Sequence, residues 1–374
     1  MAGTDLATLV RTKKVIVCCG AGGVGKTTTS AALALAGARE GRRVLVLTID
    51  PAKRLAQAMG ITENAKEPCA ISPERLAEAG VTTGTLHAWM LNPDVVFRSL
   101  VHRMAPDASQ AQRIIDSRLF RALSELVAGM QEFTAAEALY DFVTSGKFDL
   151  VVLDTPPARN ALDFLEAPGK LARFLDEKIL NMFLPSKQKL AILRKASELI
   201  SGVLNKVFGQ EFFSEIQEFL AAFSGMFGPM RQHAEGVRTL LGSKDAAFLL
   251  VTSPEQAAIA DARYFRDRIL SMGLPFAGFV LNRSWARADG FITPEALELS
   301  TVAPDAPLRR GVEKLKHLAE TEIKRVTRDR ALLADLAREL PGSAIAVAAP
   351  YIGEAIEDLR GIAMLSRGIL DSPA

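Results

Sequence analysis

Short apolar runs rich in β-branched residues recur at Val15–Cys18, Val44–Ile49, Leu150–Leu153, Ala247–Val251, Phe276–Leu281 and Ala344–Ala348. Longer segments with helical spacing separate them. Runs that are apolar throughout, rather than alternating, predict strands buried on both faces, and their alternation with helices predicts an α/β fold: a mostly parallel sheet with helices on both sides. Two intervals, about 91–140 and 163–238, read as helix throughout and are too long for simple crossovers. They predict an inserted α-helical subdomain, which assigns 1–90, 141–162 and 239–374 to the sheet domain and 91–140 with 163–238 to the insertion.

Eight of the chain's 19 Phe residues fall between Phe174 and Phe227, inside the second interval. Phe212, Ile216, Phe219, Leu220, Phe223 and Phe227 follow the spacing of one helix face, and a second stripe runs from Leu190 through Leu193, Leu199, Ile200, Val203 and Leu204 to Val207. Farther on, the segment from Arg309 to Glu339 is highly charged. Leu315, Ile323, Leu332, Leu333 and Leu336 predict a solvated helix that packs along one narrow face.

Composition narrows the class. The chain has 374 residues, 49% hydrophobic and 24% charged, enough for one large core or two smaller ones. Its net charge of +2 is spread along the sequence, which gives no case for a nucleic-acid partner. Three cysteines, two of them adjacent at Cys18 and Cys19, make neither a disulfide framework nor a CxxC zinc grip, and a reducing cytoplasm is the expected location. No stretch approaches the roughly 20 apolar residues that span a bilayer. Any association with a membrane is therefore expected to be peripheral. The helical spacing of 355–370 is assigned to packing against the sheet domain, with a surface-lying membrane helix as the alternative.

The chemistry is concentrated in Gly20-Ala21-Gly22-Gly23-Val24-Gly25-Lys26-Thr27, which matches the phosphate-binding P-loop pattern between a strand and an alanine-rich helix. The expected fold is accordingly a P-loop NTPase sheet. Glycines let backbone N–H groups of Gly22, Gly23, Val24 and Gly25 turn toward phosphate oxygens, and the helix that follows adds its positive end, with Thr28 in its first turn. Lys26 is expected to reach the β- and γ-phosphates, and the Thr27 hydroxyl to ligate Mg²⁺. Asp154 ends the strand Leu150–Leu153 and either holds a magnesium-bound water or caps a loop. Asp50 ends the strand Val44–Ile49 on the same carboxyl edge and either orients the attacking water or caps a helix.

The glycine loop, Asp50-Pro51-Ala52 and Asp154-Thr155-Pro156-Pro157 together resemble the ArsA-like ATPases, which include the arsenite-pump ATPase and the targeting factor for tail-anchored membrane proteins. Thr252-Ser253-Pro254-Glu255, Val280-Leu281-Asn282-Arg283 and Ala349-Pro350-Tyr351-Ile352 extend the resemblance along nearly the whole chain. It implies ATP with Mg²⁺ as cofactors, Asp50 and Lys26 as catalytic residues, Asp50 positioning the hydrolytic water, and Asp154 opening a second switch. It also implies adenine recognition by Asn282, with Pro350 and Tyr351 flanking the base. Asn282-Arg283-Ser284-Trp285 is not the guanine-reading element of GTPases.

Family members usually carry a second lysine early in the loop that reaches the partner's nucleotide across a dimer; here that position is Ala21. A trans cation of this kind is worth about 10³ to 10⁵ in rate in other phosphoryl-transfer enzymes. Three expectations stay open: slow hydrolysis, substitution by another cation such as Arg159, or a paralogous partner that keeps the lysine. The resemblance thus implies a homodimer or a heterodimer. The Phe- and Met-rich helices, through Met182, Phe183, Leu184, Phe213, Met226, Phe227 and Met230, either line a groove for a hydrophobic client helix or form only a core. Two functions remain: a nucleotide-switched ATPase handling a hydrophobic segment, and an ATP-binding scaffold subunit with little hydrolysis.

Overall fold

The computed structural model describes residues 5–49, 54–61, 65–117, 130–156, 219, 226–289, 306–353, 356 and 358–370. The opening helix α1 (Leu6–Thr12) is capped by the Asp5 carboxylate, which accepts from the Thr8 N–H at 2.6 Å. Then come β1 (Val15–Cys19), α2 (Lys26–Arg39), β2 (Arg43–Thr48), α3 (Arg54–Met59), β3 (Cys69–Ala70), α4 (Pro73–Glu78) and β4 (Thr85–Met90). The middle holds α5 (Pro93–Met104), α6 (Ala108–Asp116), α7 (Met130–Thr144), β5 (Leu150–Asp154) and α8 (Phe227–Leu241). The remainder is β6 (Ala246–Thr252), α9 (Gln256–Ser271), β7 (Phe276–Ser284), α10 (Ala306–Arg338), β8 (Ile345–Pro350) and α11 (Leu359–Leu370).

The strands form one sheet in the order β3-β4-β2-β5-β1-β6-β7-β8, parallel throughout except where the two-residue β3 pairs antiparallel with β4. This is the mostly parallel α/β arrangement predicted from the apolar runs. Every residue of β1, β5 and β6 is buried, as continuous runs covered on both faces require. Register places Thr48 of β2 opposite Asp154 of β5, and Cys18 of β1 opposite the same Asp154.

Two cores sandwich the sheet. On one face α1, α2 and α11 pack through Leu33, Leu35, Ile362, Leu365 and Ile369 against Ile16, Val152 and Leu249. On the other, α5, α7, α8, α9 and α10 cover Val17, Leu45, Val151, Phe248 and Phe279. The expected packing role of 355–370 agrees with α11, whose Ile362 and Ile369 are wholly buried.

The charged segment is the 33-residue helix α10, longer at its start than the sequence reading of 309–339. Its packing stripe is interrupted. Leu336 is buried, whereas Leu315 is 51% exposed, so the expectation that Leu315 joins the narrow packing face is corrected, while α10 as a whole meets β7 and β8. Of the expected helical insertion, α5, α6, α7 and α8 are described, and most of 163–238 lies outside the described residues. No helix among the described residues is long and apolar enough to cross a membrane.

Candidate nucleotide site

The loop between β1 and α2 leaves the sheet at Gly20, whose φ of +155° suits a residue without a Cβ. A Cβ there would lie 2.1 Å from the Val251 carbonyl oxygen of β6, so the loop begins in contact with the neighbouring strand. It ends at Gly25, left-handed at φ +91°, which stands at the N-cap of α2 with no side chain to satisfy the first amides of the helix. A Cβ at Gly25 would come within 2.1 Å of the Asn282 side-chain nitrogen. A glycine turn and a helix N-terminus without a side-chain cap together make the kind of positive end that suits a phosphate.

The loop residues named from the sequence differ in exposure. Gly22 and Gly23 are exposed, Val24 is buried in the core, and Thr27 and Thr28 are half-buried in the first turn of α2. Lys26 is 6% exposed, and its ammonium donates to the Ala21 carbonyl at 2.9 Å, curled over its own loop. Asp154 is fully buried at the end of β5. One of its oxygens, Oδ2, accepts from the Thr27 hydroxyl at 2.6 Å and from the Thr48 hydroxyl at 2.9 Å. A hydroxyl and a carboxylate brought together in this way are oxygen donors of the kind that could hold a hard divalent cation.

Around this cluster the strand ends are tied together. The Ile49 N–H donates to the Asp154 carbonyl at 3.1 Å, and both the N–H and the hydroxyl of Thr155 reach the Cys18 carbonyl, the hydroxyl at 2.8 Å. Asp50 follows Ile49 directly and lies outside the described residues, as does Arg159. Burial pushes the adjacent thiols up, that of Cys18 far up and that of Cys19 up to about 12, which disfavours their thiolate forms.

On the β7 side, Asn282 is buried, and its amide donates to the Val24 carbonyl at 2.8 Å, so that it braces the glycine loop. Pro350 is half-buried and Tyr351 is 49% exposed at the end of β8. Tyr351 stacks on Trp285, with centroids 5.3 Å apart and planes at 23°. Sequence reasoning passed over Thr48, Trp285 and the bracing role of Asn282. Their partners lie 106, 66 and 258 residues away, and only strand register and crossover brought them together.

The model of the family described as anion-transporting ATPase, of the ArsA type, matches residues 13–289, most of the chain. The chain belongs to the ArsA-type ATPase family. Among its relatives are a putative arsenical pump-driving ATPase of Chlorobaculum tepidum, 30% identical over 42% of this chain and 36% of that protein, and the arsenical pump-driving ATPase of Escherichia coli, 29% identical over 42% and 26%. An ASNA1-homologue ATPase of Paramecium tetraurelia is 27% identical over 73% of this chain and 75% of its own length. Against an uncharacterized protein of Streptomyces coelicolor, 30% identical, the chain spans 45% of the length, so it covers less than half of the bacterial relatives named here. Membership of the ArsA-type family accords with the glycine loop, the Asp154 cluster and the parallel sheet described above.

Proposed function

We propose that this ArsA-type chain binds ATP with Mg²⁺ and hydrolyses it, acting as a nucleotide-switched dimer that handles a hydrophobic protein segment or partner. The observation that carries the first part is the convergence of Thr27 and Thr48 on Asp154 beside a glycine turn that ends at the N-cap of α2. Bound magnesium would neutralise phosphate charge. Lys26, freed from the Ala21 carbonyl, would place its ammonium against the β- and γ-phosphates, where a fixed positive charge stabilises the charge developing in transfer. Asp50 would orient the attacking water from the end of β2. Asn282, Pro350 and Tyr351 would border the adenine.

Support for the client is compositional, resting on the density of Phe and Met in the inserted helices. Met226 and Met230 are buried within the chain, which assigns those two to the core. Met182, Phe183, Leu184 and Phe213, and the Phe227 side chain, lie outside the described residues and keep the groove reading. The second reading, an ATP-binding scaffold paired with a paralogous ATPase, is favoured by Ala21, which gives a homodimer no loop lysine to offer across an interface.

Single-turnover hydrolysis by Asp50→Asn beside the unaltered chain separates the two. A fall of about 10² or more supports Asp50 as the water-orienting group. Equal rates would remove it and leave the scaffold.

A further inference from the structure

Helix α10 is charged and solvated along most of its length, yet one of its carboxylates, Asp329, is wholly buried. Burying a charge is costly unless it is paired and hydrogen-bonded. Its partners lie in the turn where the chain leaves β7. Oδ2 accepts from the Trp285 N–H at 2.8 Å and from the Ser284 hydroxyl at 3.4 Å, while Oδ1 takes two donors of Arg328 at 2.9 and 2.8 Å. The next residue of the helix, Arg330, donates to the Ala286 carbonyl at 2.8 Å, so two successive side chains of α10 grip the same turn.

What this turn carries makes the grip informative. It begins at Asn282, the brace on the Val24 carbonyl, and passes through Arg283, a left-handed non-glycine residue at φ +55°. Such a conformation is uncommon outside glycine and persists where its surroundings hold it. Ser284 then accepts from the Tyr351 N–H at 3.1 Å, Trp285 stacks on Tyr351, and the Arg325 guanidinium of α10 lies 6.0 Å from the Trp285 ring centroid. Because β6, β7 and β8 run parallel to β1, this aromatic ledge stands on the same carboxyl edge of the sheet as the glycine loop.

We infer that Asp329 is a positioning residue for base selectivity: by holding the Ser284–Trp285 turn it fixes the Trp285–Tyr351 ledge on the base side of the phosphate loop. The inference rests on the ATP reading above and extends it, since it makes α10 the element that sets the base-side wall. Removing the carboxylate releases the turn and its strained Arg283 while leaving the glycine loop, Lys26 and Thr27 in place. Discrimination between bases then falls while triphosphate binding persists.

The test is calorimetric binding of MgATP and MgGTP to the full chain and to Asp329→Ala and Asp329→Asn. The unaltered chain is expected to prefer ATP; Asp329→Ala loses about tenfold for ATP with GTP changed less than about twofold, so the preference collapses. Asp329→Asn keeps an oxygen for the Trp285 N–H and is expected to retain most of the preference. In a Trp89→Phe background Trp285 is the only tryptophan of the two in the sequence, and its emission should respond to MgATP in the parent but not with Asp329→Ala. Should Asp329→Ala fail to fold, Tyr351→Ala, at an exposed ledge position, carries the same expected loss of preference. An unchanged ATP-to-GTP ratio, equal losses for both nucleotides, or a parent with no base preference each overturn the inference while leaving ATP binding standing. A parent that takes up neither nucleotide overturns the ATP reading itself, and the inference with it.

Discussion

Thr48 and Thr27 donate their hydroxyls to the same oxygen of Asp154, one from the strand beside it and one from the helix that follows the glycine loop. Thr48→Val keeps shape and burial and deletes only the hydroxyl. Loss of one net hydrogen bond to a buried carboxylate should lower stability by about 1 to 2 kcal/mol. It should also weaken MgATP binding several-fold, with the loss confined to magnesium-containing buffer. Titration calorimetry with and without EDTA checks this; an equal loss in both buffers would show that Thr48 does not act through the metal.

Gly25 offers a sharper steric test. Alanine there meets both a left-handed backbone and the Asn282 nitrogen 2.1 Å from its Cβ. Because Asn282 is buried and bonded to Val24, it has little room to yield. A cost of about 1 to 3 kcal/mol in stability is expected, together with loss of nucleotide binding. Thermal melting and ATP titration would read the two effects, and an intact affinity would show that the loop tolerates a different path.

A buried acid in α7 predicts a pH dependence of stability. Glu137 of α7 has no side-chain exposure and meets His233 of α8 at 3.0 Å. Burial pushes its carboxyl up to about 7; the His233 contact and Arg103 of α5 pull it down, and Asp141 raises it further. A carboxyl raised on folding binds its proton more tightly in the native state, so this group's contribution to stability is full below its ordinary value and is lost as pH rises toward 7. Glu137→Gln should therefore gain relative to the parent between pH 5 and pH 8. Denaturant midpoints at those two values measure the slope, and parallel slopes for the two proteins would exclude Glu137 as its source.

Position 21 addresses turnover. Ala21→Lys supplies the loop cation that the family resemblance implies, and steady-state hydrolysis is expected to rise at least about tenfold at protein concentrations that support a dimer. An unchanged rate would remove the missing lysine as a brake on hydrolysis.

The sheet was legible where strands are buried on both faces. Val15–Cys18 or Leu150–Leu153 admits no helix stripe or half-exposed pattern, and the glycine loop fixed where the first helix begins. β4 escaped because it reads Thr-Leu-His-Ala-Trp-Met, with Thr85 exposed and His87 half-buried near the sheet edge, so that no apolar run marks it. β3, at two residues, has no pattern to read. The ends of the site, Lys26, Thr27 and Asp154, could be named because one short motif and one strand terminus carry them. The site's bracing could not: Thr48 on Asp154 depends on register between β2 and β5, and Asn282 on Val24 depends on a crossover 258 residues long.

The phosphate helix α2 is held on every side. Its inner face lies on the sheet, α1 and α11 flank it, and Arg39 at its far end bonds the Ala79 carbonyl at 2.6 Å and the Ser366 hydroxyl at 3.3 Å. A helix fastened at both ends and along its length makes a poor lever. Any rearrangement that a ligand provokes at its tip therefore has to be taken up elsewhere in the fold, which points experiments on motion away from the helix that carries Lys26.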